Sequence, residues 1–282
     1  MTESSTLLEV VCPSCGGMKN LNIPSAILSH KKFGTVKIQV PFNAVCAAHQ
    51  FLIFVDTRGK IRGYEKIDIQ MITITSKLEK EVAGTLNLRK LIQIFGIYGI
   101  FSLIHAKIFN YATYILKDED FEYNEDTFNS LGDAILPDSF RGRKTVYLLE
   151  ENEIDNIKLK KRNALVIDTK QYIYQTPWTT KLKFEEELIK RALEIIDEKE
   201  QLNLMQQDIS KLIDEVNYTI LILDDVKEIY EDDLIEKITK TLNIKKINKY
   251  RLTLIKEFIR QNISYKIVSK IKNKVEEFLS VL

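Results

Sequence analysis

The chain contains three cysteines, and all of them fall in one pattern with a histidine: Cys12-Pro-Ser-Cys15-Gly-Gly, then Cys46-Ala-Ala-His49. Three thiolates and an imidazole in two CxxC-type pairs are a donor set for a tetrahedral zinc ion. Pro13 stiffens the first turn. Gly16 and Gly17 let the backbone fold back so that its amides face the sulfurs, as in the knuckle of a zinc ribbon. Four protein ligands leave no position for water, so the expected cofactor is one structural Zn²⁺ held by Cys12, Cys15, Cys46 and His49. The competing reading is a few buried thiols beside a surface histidine, and His30 is the reserve ligand should His49 point away.

Little other chemistry can be assembled. None of the ten glycines sits in a phosphate-binding loop, and neither an HExxH helix nor a Gly-x-Ser-x-Gly elbow occurs. Gly96-Ile-Tyr-Gly99 lies in an apolar run and reads as a packing notch. Asp118-Glu-Asp120-Phe-Glu122 resembles the start of a calcium loop, but Tyr123 stands where the turn needs glycine, so a solvated acidic loop is expected. His105 lies on an apolar segment and reads as a hydrogen-bonded core residue. No nucleophile–base pair and no catalytic residue is assigned.

Charge is unevenly placed. The net charge is +1, yet residues 240–274 hold eleven Lys or Arg and a single acid, Glu257, while residues 118–126 hold six acids and no base. Such asymmetry points to an anionic partner for the C-terminal segment or to internal pairing. For nucleic acid the contacting residues are Lys245, Lys246, Lys249 and Arg251, although the segment's preference for Lys over Arg also suits a solvated helical face.

A chain of 282 residues with 45% hydrophobic and 29% charged residues has enough apolar material for two or three globular modules. With every cysteine assigned to metal, no disulfide framework remains, which favours a reducing, cytoplasmic compartment. The first eleven residues have no basic start and no apolar core, so no signal peptide is expected. Residues 91–106 carry no formal charge, but Gln93, Ser102 and His105 interrupt the run, and a buried core helix is expected rather than a membrane span.

Three regions must position these residues, and the expected class is α+β. Residues 1–75 read as a small zinc-ribbon-like β module of short strands, with Asp56-Thr-Arg-Gly59-Lys as a hairpin loop. Residues 76–181 alternate helix and strand, giving a mixed α/β domain whose strand pairing the order alone does not fix. Residues 182–282 read as helical. There Leu188, Ile195, Leu202, Ile209 and Val216 recur every seven residues along a long helix from Phe184 to Val216, and dimerisation through residues 184–216 is one use for that column. Three further helices are expected over Tyr230–Leu242, Tyr250–Gln261 and Tyr265–Leu279.

Phe33-Gly-Thr-Val-Lys-Ile-Gln-Val-Pro, Cys46-Ala-Ala-His49-Gln-Phe, Phe54-Val-Asp56 and Arg62-Gly-Tyr64-Glu-Lys-Ile-Asp68 together resemble an N-terminal module of uncharacterised proteins from Asgard (Lokiarchaeota-type) archaea. The resemblance covers residues 7–70. It implies an archaeal cytoplasmic protein with a zinc-ribbon-like start and Cys12, Cys15, Cys46 and His49 as ligands; no activity is established for that group. Ile108-Phe-Asn-Tyr-Ala-Thr-Tyr-Ile-Leu with Leu136-Pro137 resembles the helix–strand–helix arrangement of DENN modules that regulate GTPases, without a diagnostic motif. The function expected is a non-enzymatic, zinc-stabilised interaction or regulatory scaffold for a protein partner. The alternatives are a nucleic-acid-associated protein and an enzyme using His105 with carboxylates of the middle domain.

Overall fold

The computed structural model describes residues 5–24, 28, 34–41, 43–66, 87–150, 153, 163–242 and 247–273. His30, Lys245, Lys246, Lys274 and the boundary at residue 75 lie outside them. The fold is mixed α/β, and the chain divides into two compact units. The first holds residues 1–104, 112–128 and 146–190, so it takes in the N-terminal module and most of the middle region. The second holds residues 105–111, 129–145 and 191–282.

The first unit begins with an antiparallel hairpin, β1 (Ser5–Val11) and β2 (Met18–Pro24). A meander follows of β3 (Thr35–Val40), β4 (Phe51–Asp56) and β5 (Ile61–Lys66). Alternation places Leu8 and Val10 inward while Leu7 stays 62% exposed. The inward set joins Ile23, Val36, Ile38, Val40, Phe51, Ile53 and Val55 in one core, so the hairpin covers one face of the meander.

The second sheet of this unit has the order β7–β6–β8–β9, with β6 Ala112–Lys117, β7 Val146–Glu150, β8 Ala164–Asp168 and β9 Ile173–Gln175. β7, β6 and β8 run parallel, and β9 is antiparallel to β8. β6 and β8 are near-continuous apolar runs, as strands covered on both faces require. Ile38 and Tyr172 form an antiparallel bridge that brings β3 beside the start of β9 and ties the two sheets together.

Helix α1 (Leu88–Ile108) runs along the apolar stretch and breaks at Gly96, whose φ of 70° is left-handed. The packing notch expected at Gly96 is filled by a side chain rather than a backbone. A Cβ there would lie 2.2 Å from Nε2 of Gln39, and Gln39 Oε1 accepts the Tyr98 amide at 3.2 Å, capping the second half of the helix. By length and composition α1 could cross a membrane, but 78% of its most apolar window is buried. Helix α2 spans Glu125–Ala134 and α3 spans Lys183–Leu193.

The second unit is mainly helical: α4 (Glu198–Asp224), α5 (Glu231–Thr241), α6 (Lys249–Asn262) and the one-turn α7 (Tyr265–Val268). The expected continuous helix from Phe184 to Val216 is in fact two helices, α3 and α4. Asp197 caps α4 by accepting the Glu200 amide at 2.9 Å, and Gln201 donates to the Ile195 carbonyl at 2.7 Å across the break. The seven-residue column therefore does not run along a single helix, and Ile209 and Val216 are fully buried within their own chain. Thr219–Leu223 continues α4. The helix expected over Tyr265–Leu279 stops at Val268, because the chain turns and pairs Ile271–Lys272 (β11) in parallel with Ile229–Tyr230 (β10).

Candidate metal centre

The two cysteine-bearing turns lie at the ends of paired strands. After β1, the Cys12 amide donates to Gly17 O at 2.7 Å and the Gly16 amide to Cys12 O at 2.9 Å, closing a turn with Gly16 at φ 74°. After β3, the Ala44 amide donates to Pro41 O at 3.2 Å and the Asn43 amide to Cys46 O at 3.0 Å. The hydrophobic core beneath the hairpin holds the two turns against each other, since Cys12 is one of its buried members and Cys46 packs at its margin.

The four predicted residues converge. The ligand atoms of Cys12, Cys15, Cys46 and His49 all lie within 4.8 Å of one another, and Cys46 Sγ stands 3.5 Å from His49 Nδ1. Together they can hold one metal ion. Burial opposes ionisation of the Cys12 thiol, but the amides of Ser14 and Cys15, helped by the neighbouring thiols, outweigh it and draw the pKa down. At Cys15 the Gly17 amide favours the thiolate, yet the adjacent Cys12 and Cys46 sulfurs prevail and push the pKa up. Backbone amides thus favour the thiolate at both Cys12 and Cys15.

His105 is fully buried in the second unit, with Nε2 3.2 Å from Glu257 Oε1. Tyr111 donates to the same oxygen at 2.8 Å, and Gln261 Nε2 donates to the Tyr111 hydroxyl at 3.1 Å. Its carboxylate comes from the basic C-terminal segment, not from the middle region. Of the residues proposed for nucleic acid, Lys249 is exposed while Arg251 is paired with Glu215 at 2.6 Å. Lys256 pairs with Glu231 at 2.7 Å and Lys272 with Glu228 at 3.1 Å. Acids near α4 and α5 thus neutralise part of that segment. The acidic loop serves its own unit: Asp118 accepts from Thr169 at 3.0 Å and lies 3.3 Å from Lys170.

The hairpin turn at Asp56 has a counterpart at Asp168. Asp56-Thr-Arg-Gly-Lys-Ile and Asp168-Thr-Lys-Gln-Tyr-Ile share Asp, Thr, a basic residue and Ile at matching positions, and both form β-hairpin turns. The shared Asp-Thr start was the available signal, but Gln171 in place of Gly59 hid the second turn.

No protein-family model matches the sequence, and no curated protein matches it in a direct comparison.

Proposed function

We propose that the protein is a zinc-stabilised binding scaffold whose N-terminal ribbon-like module is fastened by one structural Zn²⁺ and which engages a protein partner without catalysing a reaction. The observation that carries the zinc part of this reading is the convergence of Cys12, Cys15, Cys46 and His49 within 4.8 Å. Zinc–sulfur bonds of about 2.3 Å and a zinc–nitrogen bond of about 2.0 Å set a sulfur–nitrogen edge of about 3.5 Å in a tetrahedron. The Cys46–His49 separation of 3.5 Å agrees with that edge. Three thiolates and one imidazole favour zinc over the hard, oxygen-seeking cations, and a closed donor set gives the ion a structural role. The resemblance to the Asgard archaeal module and a reducing cytoplasm are consistent with cysteines held by metal rather than in disulfides.

The enzyme reading asks His105 to meet substrate, but that ring is fully buried and engaged with Glu257. Binding is therefore the better account of the chain. Elemental analysis of the purified chain should return one zinc per molecule, and Cys15→Ser should lose it. The variant should also lose the partner that the zinc-loaded chain retains. A well-folded chain without metal overturns the zinc reading, and turnover by the intact protein overturns the non-catalytic one.

A further inference from the structure

A cleft of about 330 Å³ opens within the first unit, away from the metal centre. Strand register fixes part of its wall. Lys37 lies opposite Phe54 and Leu52 opposite Glu65, so these four share the face of the meander turned away from the β1–β2 hairpin. Tyr98 and Phe101 of α1 face them, and Leu182 closes the cleft ahead of α3.

The polar groups are arranged around an apolar floor. Lys37 Nζ donates to the Tyr98 hydroxyl at 3.1 Å and stands 5.6 Å and 5.9 Å from the centroids of the Tyr98 and Phe54 rings. Burial, with the negative charges of Glu65 and Glu185 added to it, raises the Tyr98 pKa above its ordinary value, so the hydroxyl keeps its proton, which has no acceptor among the described residues. Leu52, Phe101 and Leu182 are buried beside it. Lys66, Lys181 and Lys183 also line the cleft, against Glu65 and Glu186. Both of those acids are matched, Glu65 to Lys181 at 3.7 Å and Glu186 to Lys190 at 2.9 Å. Lys66 and Lys183 have no carboxylate in ion-pair reach among the described residues.

We infer that this cleft binds a small organic anion with a flat apolar body, the anion meeting Lys37 and Tyr98 and the body lying against Phe54 and Phe101. The volume is at the small end of the range for ligand pockets, about 300–1,000 Å³. A partly desolvated ammonium strengthens a charge-assisted hydrogen bond, and the aromatic wall rewards a ring over a bare ion.

The test is a nuclear magnetic resonance titration of the zinc-loaded full chain with naphthyl phosphate and with naphthoate, which separate a phosphate from a carboxylate head group. Inorganic phosphate and naphthylmethylamine are the controls. Saturable shifts at Lys37, Tyr98 and Phe101 are expected with at least one aromatic anion, and roughly tenfold weaker binding of both controls. Lys37→Met should weaken the anion by about tenfold, the loss of one charge-assisted hydrogen bond. The wild-type comparison of anion with amine stands even if that variant fails to fold. Absence of saturable shifts, equal binding of the amine or of bare phosphate, or a folded Lys37→Met with unchanged affinity overturns the site.

Discussion

Asp56 and Asp168 close two different hairpins with the same hydrogen-bond pattern. In each, one carboxylate oxygen accepts the amides two and four residues on: Arg58 and Lys60 at 3.0 and 2.9 Å, Lys170 and Tyr172 at 2.9 and 2.8 Å. The other oxygen accepts from the side chain six residues on, Arg62 at 2.7 Å or Tyr174 at 2.9 Å. The third position after each Asp is left-handed, Gly59 at φ 78° and Gln171 at φ 72°. The two carboxyls nevertheless move in opposite directions. At Asp56 the Lys60 amide, with the Arg62 guanidinium and the Arg58 amide, overcomes burial and lowers the pKa to about 2. At Asp168 burial dominates its three donors, and the pKa rises to about 6.

The pH dependence of stability follows with opposite signs. Asp168 has a folded pKa above its unfolded value, so folding binds a proton and is favoured as pH falls from about 6 towards 4. Wild type should gain about 1 kcal/mol relative to Asp168→Asn between pH 7 and pH 5. Asp56 contributes in the reverse sense: its stabilisation is complete above its unfolded pKa near 3.8 and is lost as pH falls through about 2. Denaturant midpoints of the two Asn variants across that range check both. A parallel pH profile for Asp168→Asn and wild type would refute the burial argument.

Gly96→Ala should cost about 1–3 kcal/mol, because it places a Cβ in a left-handed residue and displaces Gln39. Adding Gln39→Ala removes the collision but not the backbone strain, and it strands the Tyr98 amide. The double variant should therefore remain less stable than wild type in urea. Full recovery would mean that the broken helix carries no strain.

In the second unit, Glu257→Leu leaves two buried groups, His105 and Tyr111, without their shared acceptor. A loss of about 2 kcal/mol or more is expected from the stranded polar atoms. Glu257→Gln keeps an acceptor oxygen and should lose less. Thermal melts of both variants order them; equal losses would show that the negative charge, not the acceptor, is what matters.

The convergence of Cys12, Cys15, Cys46 and His49 was legible because cysteine is scarce here and the spacing of a CxxC-type pair is a local property of the chain. The Asp56–Lys60 turn was legible because its glycine is likewise a local signal. What escaped depends on partners distant in sequence. The pairing of β3 near β9 rests on Ile38 and Tyr172, which no local pattern links. The break between α3 and α4 was marked by Asp197-Glu-Lys-Glu200, a capping signature, but the seven-residue apolar column ran through it in phase and hid it. The end of α7 follows from the pairing of Ile271–Lys272 with Ile229–Tyr230, a contact invisible from either segment.

Chelation should act locally before it acts globally. A two-stranded hairpin is marginal by itself, and a metal held by Cys12, Cys15, Cys46 and His49 would tie β1–β2 to the meander beyond the core they share. Hydrogen exchange should show residues 5–24 and 43–56 losing protection in chelator while α4 and α6 keep theirs. Uniform loss throughout the chain would mean that the metal centre sets global stability, and no loss would remove its structural role.

The most direct test is X-ray absorption at the zinc edge on the purified chain. The account predicts one zinc per molecule with three sulfur neighbours at about 2.3 Å, one nitrogen at about 2.0 Å and no bound water. Cys46→Ser should reduce the sulfur count to two or abolish binding. Absence of zinc in a folded chain, or an oxygen-rich shell with Cys12, Cys15 and Cys46 still reactive to thiol reagents, would contradict it.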